Sequence, residues 1–575
     1  MRRITICGVV RHVRSVSRHM SGRNATRGSM LYLSHMILPH DQLRRHLERV
    51  YAAAYPDGPD FAFIVEPTAD PKHGEYTTTA AMKLGPLLKE APRDVAQNLL
   101  AKLGPIPMLE KAEVVGPGFL NFFLKPAWLV KQADAILTDR YYGQSNIGKN
   151  RTFVVEYISA NPTGPLTLAN GRGAFAGEVM ANLLTKTGWK VVREYYVNDI
   201  GNQVNVLAES VIRRYFQAQG IPTDYPDHCY QGDYVTELAK KLKLETMKLK
   251  DMTTIRDRIK GRVLETMLNE IKRVVEKKLK VHFDRWQRES ALVTSKLDQK
   301  ALTHLRAHDL LVEKDGATWF RTTAYGDDKD RVLIKQGGET TYFLSDIALR
   351  YYRFLVRGVD RELLYLGADH HGYVPRLNAA MAALGVAKQL DVAIVQMVKL
   401  MRGGQEVRMS KRAGNYVPIE DVVDEVGLDA TRFFFLMHAA DTHMDFNLDL
   451  AKEHSEKNPV YYVQYAHARI ASLLKKVGKS ATKQDVEPPH ASEIRLVKLL
   501  LEQPRLIAGV AESRETQKLP FYAMELARAF HEFYTNCRVI DEGVVWSRRL
   551  TIVKATQKVL ADTLAIMGVS APTSM

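Results

Sequence analysis

Cysteine is scarce in this 575-residue chain: Cys7, Cys229 and Cys537 stand far apart and never form a CxxC pair. That argues against a disulfide framework or a cysteine-rich zinc site, and it fits a reducing compartment. No apolar run reaches 18 residues, so no segment is read as crossing a membrane. Internal repeats and substantial low-complexity tracts are also missing. Acid is absent from residues 1–40, which carry Arg2, Arg3, Arg11, Arg14, Arg18, Arg23 and Arg27. Such a leader fits an organellar transit peptide, and an over-extended start fits equally, since Met30 and Met36 both precede the first convincing element. It lacks the apolar centre of a secretory signal. Residues 1–36 are therefore set apart from the fold as a disordered leader or non-native start, and the protein is expected to be cytoplasmic.

What remains is of ordinary globular make-up, 46% hydrophobic and 25% charged. At roughly 100–200 residues per domain the chain holds several cores. Its net charge is +16, and setting the seven leader arginines aside leaves +9. A body that stays basic points to a polyanionic partner, although mild basicity alone proves none.

Helical spacing of Leu43, Leu47, Val50, Tyr51 and Ala54 predicts a helix over 42–54. Strands are predicted at 61–65, 113–115 and 119–123, with a helix over 94–103, giving an α+β module. From Thr152 the pattern changes. A β-rich run over 152–158, a Pro/Gly loop from Asn161 to Pro165, a helix opening near Gly171 and closing at Gly188, and a strand over 191–197 make a βαβ unit. A parallel doubly wound sheet follows from that order. Residues 236–285 are charge-dense, with an apolar stripe from Ile255 to Leu279 that reads as a long helix with one buried face. The α/β pattern resumes at 331–334, 363–366 and 392–398, and beyond Asp449 the chain reads as all-helical.

Two stretches carry chemistry. In the first, a strand delivers Glu156 and Ser159, and a loop through Asn161 leads to Thr167, Asn170, Gly171 and Gly173 at a glycine-rich helix start. Amides at a helix N-terminus suit a phosphate, although Gly and Pro also serve plain tight turns. The second stretch, 403–415, sets Arg408, Lys411 and Arg412 around Ser410 on a glycine-bounded loop. Such a loop suits closure on a triphosphate, although standing alone it reads more readily as an exposed basic turn.

Together these stretches resemble class I aminoacyl-tRNA synthetases, specifically the arginyl-tRNA synthetase family. The resemblance runs from about residue 37 to the end. It is carried by NPTGPL and GRGAFAGEVMANLL (161–184), REYYVNDIGNQ (193–203), VHFDRW (281–286), TYFLSDIA (341–348), GADHHGYVPR (367–376), RMSKRAGNYV (408–417), the tetrapeptide Asp429-Ala430-Thr431-Arg432, NPVYYVQYAHARIASLL (458–474) and FHEFYTNCRVI (530–540). It implies a multidomain α/β protein: an N-terminal α+β tRNA-contacting domain over 37–128, a Rossmann-like catalytic domain over 145–448 with a helical insertion at about 203–330, and an α-helical anticodon-binding domain over 449–575. It also implies ATP-dependent activation of L-arginine and transfer to arginine tRNA. ATP would enter with Mg2+, with no tightly bound cofactor, no dedicated metal site and no membrane partner, and the protein is expected to be a monomer.

Glu156, Ser159, Asn161, Tyr342 and Asp346 match the family's arginine-binding positions. A guanidinium carries a permanent charge and five fixed donors, so carboxylates and a flat neighbour suit it. Tyr342 and Asp346, four apart, fall on one face of a helix beginning there. The nucleotide would meet Thr167, Asn170, Gly171 and Gly173, then Asp369, His370 and His371, and the loop residues Arg408, Met409, Ser410 and Lys411. For tRNA, Tyr465 and Arg469 are favoured, with Tyr461 and His467 as further stacking or phosphate contacts.

One departure falls in the signature itself. Where the family carries His-x-Gly-His at the helix start, this sequence reads Thr167-Leu168-Ala169-Asn170. Thr and Asn donate hydrogen bonds but cannot become cationic. Losing a transition-state donor outright costs about 10²–10³-fold in rate. Either the enzyme is active with Lys411, Asn170 and Thr167 as its catalytic groups, or it is a silent paralogue that binds tRNA or senses arginine. Keeping the arginine pocket, the cationic loop and the anticodon domain together favours activity.

Overall fold

The computed structural model describes residues 38–68, 70–242, 252–387, 389–407, 417–478 and 480–575. The leader (1–36) and the loop residues Arg408, Met409, Ser410, Lys411 and Arg412 lie outside them. The chain forms two compact units, which meet in sequence at Trp128 and Leu129.

In the first unit, helices Pro39–Ala54, Ala80–Leu88 and Pro92–Ala101 accompany an antiparallel four-stranded sheet. Leu43, Leu47 and Val50 are buried as their spacing predicts. The strands predicted at 113–115 and 119–123 are present as an antiparallel pair, Leu109–Val115 and Phe119–Leu124. The predicted strand at 61–65 is not: pairing begins only at Glu66. Phe61 and Phe63 instead pack their rings on each other and on Tyr51, so their aromatic spacing reflects burial and not a ladder.

The second unit is built on β1 (Thr152–Glu156), α1 (Leu168–Lys186), β2 (Lys190–Val197), β3 (Arg285–Arg288), α2 (Tyr342–Arg350), β4 (Arg361–Gly367) and β5 (Leu390–Val395). Its sheet has the order β5-β4-β1-β2-β3, parallel throughout. The chain leaves β1 in one direction and returns at β4 on its other side, so a topological switch point lies between their carboxyl ends, where open α/β sheets bind ligands. Two strands differ from the sequence reading. Arg285–Arg288, inside the stretch read as helical insertion, is the edge of the parallel sheet, whereas Arg331–Ile334 joins a small antiparallel sheet with Leu311–Lys314 and Ala317–Phe320. Hydrophobic alternation marks a strand but not the sheet it joins. Val392–Val398 divides likewise, since Val398–Arg402 pairs with Met444–Asn447 and Gln405–Glu406.

Helix α1 opens at Leu168, three residues before the glycine expected to open it, because Thr167 caps it. Among the insertion helices, Met252–Arg273 buries Ile255, Ile259, Val263, Met267 and Ile271 as its stripe predicts. Beyond α3 (Leu428–Leu436) come α4 (Pro459–Val477), α5 (Ala491–Ser513), α6 (Lys518–Asn536) and α7 (Ser547–Met567), with three short strands that the all-helical reading omitted. These helices hold to α1 through Asn182 Nδ2, which donates to the Ile566 carbonyl at 3.0 Å, and a Lys186–Asp562 pair at 2.6 Å. Among the described residues no helix is long and apolar enough to cross a membrane.

Candidate active site

Strand β1 ends at Glu156, and the chain turns away at once, with Ile158 at φ +67° and Ser159 at φ +39°. Left-handed backbone at non-glycine residues is costly and persists where surrounding contacts enforce it. The Ser159 hydroxyl supplies two: it donates to Glu156 Oε1 at 3.0 Å and accepts the Tyr196 amide at 3.0 Å. Asn161 follows, exposed, on a loop that Tyr195 holds through the Ala160 carbonyl at 2.9 Å.

The signature tetrad is the N-cap and first turn of α1. Thr167 and Asn170 form a reciprocal capping box: the Thr167 amide and hydroxyl both donate to Asn170 Oδ1 at 2.9 Å, and the Asn170 amide donates back to Thr167 Oγ1. The threonine hydroxyl is thus spent on the cap, and Asn170 Nδ2 is left as the side-chain donor of this corner. Gly171 has a packing reason for its identity, since a Cβ there would lie 2.5 Å from Ile419. Gly173 stands 3.6 Å from Val395 by the same measure. Both sit within the helix, not at its mouth.

Asp369, His370 and His371 lie exposed on a 3-10 turn directly after β4, at the switch point. Tyr342 opens α2 with its ring exposed, and its hydroxyl sits 3.4 Å from where a Gly201 side chain would begin. Asp346, one turn on, is half-buried.

Sequence reasoning missed what surrounds these residues. Glu156 and Glu194 pair across β1 and β2, and Glu362 on β4 lies two residues before Leu364, itself paired with Glu156, so all three acids face one side of the sheet. Over them runs α2 with its continuation Tyr351–Val356, where Asp346, Arg350, Arg353 and Arg357 recur at spacings of four, three and four. Arg353 Nη1 lies 2.7 Å from both Glu156 Oε2 and Glu362 Oε1, and its Nε donates to Glu194 at 2.8 Å. Arg350 bridges Asp346 Oδ1 at 2.7 Å and Glu362 Oε1 at 3.2 Å, Arg357 reaches Glu194 at 2.6 Å, and the Tyr373 hydroxyl donates to Asp346 Oδ2. A charged stripe at helical spacing, and glutamates inside apolar strands, were the available signals.

The electrostatics follow from burial. Burial and the neighbouring Glu156 raise the Asp346 carboxyl, against the opposing pull of Arg350 and Tyr373. Burial likewise raises Glu362, flanked by Glu156 and Glu194. For Glu194 burial acts upward too, but Arg353 and Arg357 outweigh it and hold the group low. Burial, then Glu289, Asp346 and Glu156 in turn, push the Tyr196 hydroxyl up. Among the described residues, one grouping, Glu209, His228 and Cys229, has metal-ligand spacing, and Arg213 already neutralises its carboxylate at 2.7 Å.

In the helical tail, Tyr461 and Tyr465 stack at 6.4 Å, and Arg469 lies 4.2 Å over Tyr534 and 6.0 Å over Tyr465, all half-buried. His467 departs from expectation. It is buried and bonded to the Pro572 carbonyl at 2.8 Å, so it offers no outward face.

Matches to known families place this parallel sheet, its polar switch point and its helical tail among the class I aminoacyl-tRNA synthetases. Residues 132–434 match the family described as tRNA synthetases class I (R), catalytic domain, and residues 463–575 the DALR anticodon binding domain. Residues 40–124 match the arginyl tRNA synthetase N terminal domain. Arginine–tRNA ligase 1 of Halalkalibacterium halodurans is 43% identical over 89% of this chain and 94% of its own length. The arginine–tRNA ligase of Shouchella clausii is 40% identical over 94% of this chain and all of its own. The Thermus thermophilus arginyl-tRNA synthetase structure shares the fold with TM-score 0.72 at 22% identity, covering 93% of this chain and all of that one. The chain belongs to the arginyl-tRNA synthetase family.

Proposed function

We propose that this chain is an arginine–tRNA ligase whose arginine pocket is centred on Glu156 and Asp346. The carboxylate of L-arginine attacks the α-phosphate of ATP, which enters as its Mg2+ complex, giving arginyl-adenylate and releasing pyrophosphate. A terminal ribose hydroxyl of arginine tRNA then takes the arginyl group and AMP leaves. The single observation that carries this reading is the pair of carboxylates, Glu156 and Asp346, linked beside the switch point by ion pairs through Arg353, Glu362 and Arg350. Glu156 Oε2 is buried, with Arg353 Nη1 as its ion-pair partner at 2.7 Å in a geometry that makes no hydrogen bond. Tyr342 supplies the flat neighbour, and Ser159 and Asn161 line the approach. Asn170 Nδ2, the cap of Thr167 and the helix-start amides face the phosphates with Gly171 and Gly173 behind them. Asp369, His370 and His371 border the nucleotide from β4, and Arg408, Met409, Ser410 and Lys411 close on the triphosphate, with Lys411 stabilising developing charge. Tyr465 and Arg469 meet the tRNA. The same reading takes the protein as a cytoplasmic monomer, consistent with the buried free thiols of Cys229 and Cys537.

Charging of bulk tRNA with arginine by the purified protein, beside Lys411→Ala, tests it. Wild type is expected to charge, and Lys411→Ala to lose about 10²-fold or more in kcat. Binding of tRNA with no charging by wild type overturns the reading in favour of a silent paralogue.

A further inference from the structure

Both oxygens of each proposed pocket acid are already held. Arg350 takes Asp346 Oδ1 at 2.7 Å and the Tyr373 hydroxyl takes Oδ2. Ser159 takes Glu156 Oε1 at 3.0 Å, and Arg353 stands 2.7 Å from Oε2. One guanidinium and one hydroxyl serve each acid, and Glu362 Oε1 ties the two guanidiniums together at 3.2 and 2.7 Å. We propose that Arg350, Arg353 and Tyr373, joined through Glu362, are positioning residues that fix the two carboxylates in the orientation that grips the substrate guanidinium.

Three physical points carry this inference, which rests on the arginine pocket proposed above. First, two neighbouring carboxylates out of water repel, and unless cations sit beside them one takes a proton and cannot pair with a guanidinium. Second, ion pairs join the acids Glu156, Glu194, Glu362 and Asp346 to Arg350, Arg353 and Arg357, and the buried Glu289 adds a further acid near Asp346, so acids outnumber cations here and a cationic ligand suits the site. Third, buried ion pairs return little net stability for their desolvation, so a network this extensive at a ligand site is better accounted for by orientation than by folding energy. Bidentate pairing needs both carboxylate planes fixed, and a clamp on each oxygen fixes a plane.

The test compares Tyr373→Phe, Arg350→Met and Arg350→Lys with wild type in steady-state charging, reading KM for arginine and for ATP beside the melting temperature. Arg350→Met is expected to raise the arginine KM about tenfold or more, Tyr373→Phe about threefold or more, and Arg350→Lys to recover part of the loss, all with the ATP KM within about twofold. Arg432, equally buried but bonded to the Leu279, Lys280 and Met567 carbonyls and to no acid of the pocket, is the control: Arg432→Met should lower the melting temperature and leave the arginine KM alone. If Arg350→Met does not fold, Tyr373→Phe, which removes one hydroxyl, decides the matter. An arginine KM unchanged in the folded variants, or arginine and ATP KM rising together, overturns the inference. Failure of wild type to charge tells against the proposed function instead. Calorimetric arginine binding to the full chain and to Tyr373→Phe then still reads the inference, with equal affinities or no binding overturning it.

Discussion

Asn170 does two things that a single substitution separates. Its Oδ1 closes the capping box with Thr167, and its Nδ2 is the donor left over. Asn170→Asp keeps the Oδ1 acceptor that the cap uses, and a carboxylate in the first turn is favoured by the helix dipole, so the cap survives. What changes is the outward group, from a donor to an anion where phosphate is proposed to sit. The expected outcome is an unchanged melting temperature with kcat lowered about 10²-fold, read in the tRNA charging assay. Full activity in Asn170→Asp would mean that this corner does not touch the phosphates, and the altered signature would then have no catalytic consequence.

At the scale of elements, α1 does more than present its N-terminus. Arg172, in its second turn and 1% exposed, reaches the carbonyls of Gln396 at 3.2 Å, Thr442 at 2.6 Å and Ala439 at 2.6 Å. One guanidinium thereby ties α1 to the end of β5 and to the turn after α3, and burial lowers its pKa to about 10. Arg172→Met takes this donor from the Gln396 and Thr442 carbonyls, while the Ala439 carbonyl keeps the Thr442 amide and hydroxyl, so a loss of about 2 kcal/mol is expected in urea unfolding, and Arg172→Lys, without the planar fork, restores only part. None of this was visible in sequence, where Arg172 reads as one polar residue of a glycine-rich helix start. The βαβ order, Glu156 at a strand end and Tyr342 with Asp346 one turn apart on α2 were legible, because local periodicity fixes them. The partners of those residues were not. Glu194, Glu362 and Arg353 meet only through sheet register and helix packing, which bring together positions far apart in the chain.

At the scale of the whole second unit, the insertion and the helical tail converge on one side chain. Arg432 of α3 donates to Leu279 and Lys280 carbonyls at 2.5 and 3.1 Å, just past the long insertion helix and its continuation to Lys278, and to Met567 at 3.3 Å, where α7 ends. The next residue, Gly568, has φ +68°, and a Cβ there would lie 1.7 Å from Arg432 Nη1. Gly568→Ala therefore carries two costs: about 1–2 kcal/mol for left-handed backbone, and the displacement of a buried guanidinium from its carbonyls. Only the second disappears when Arg432 is already Met. A double-mutant cycle in urea unfolding is expected to show Gly568→Ala destabilising wild type by about 3 kcal/mol or more but the Arg432→Met background by no more than the backbone cost, a coupling above about 1 kcal/mol. Strict additivity would mean that the C-terminal cap and the guanidinium act independently, and that the helical tail is held through its contacts with α1, the Asn182 and Lys186 bonds among them, and not through Arg432.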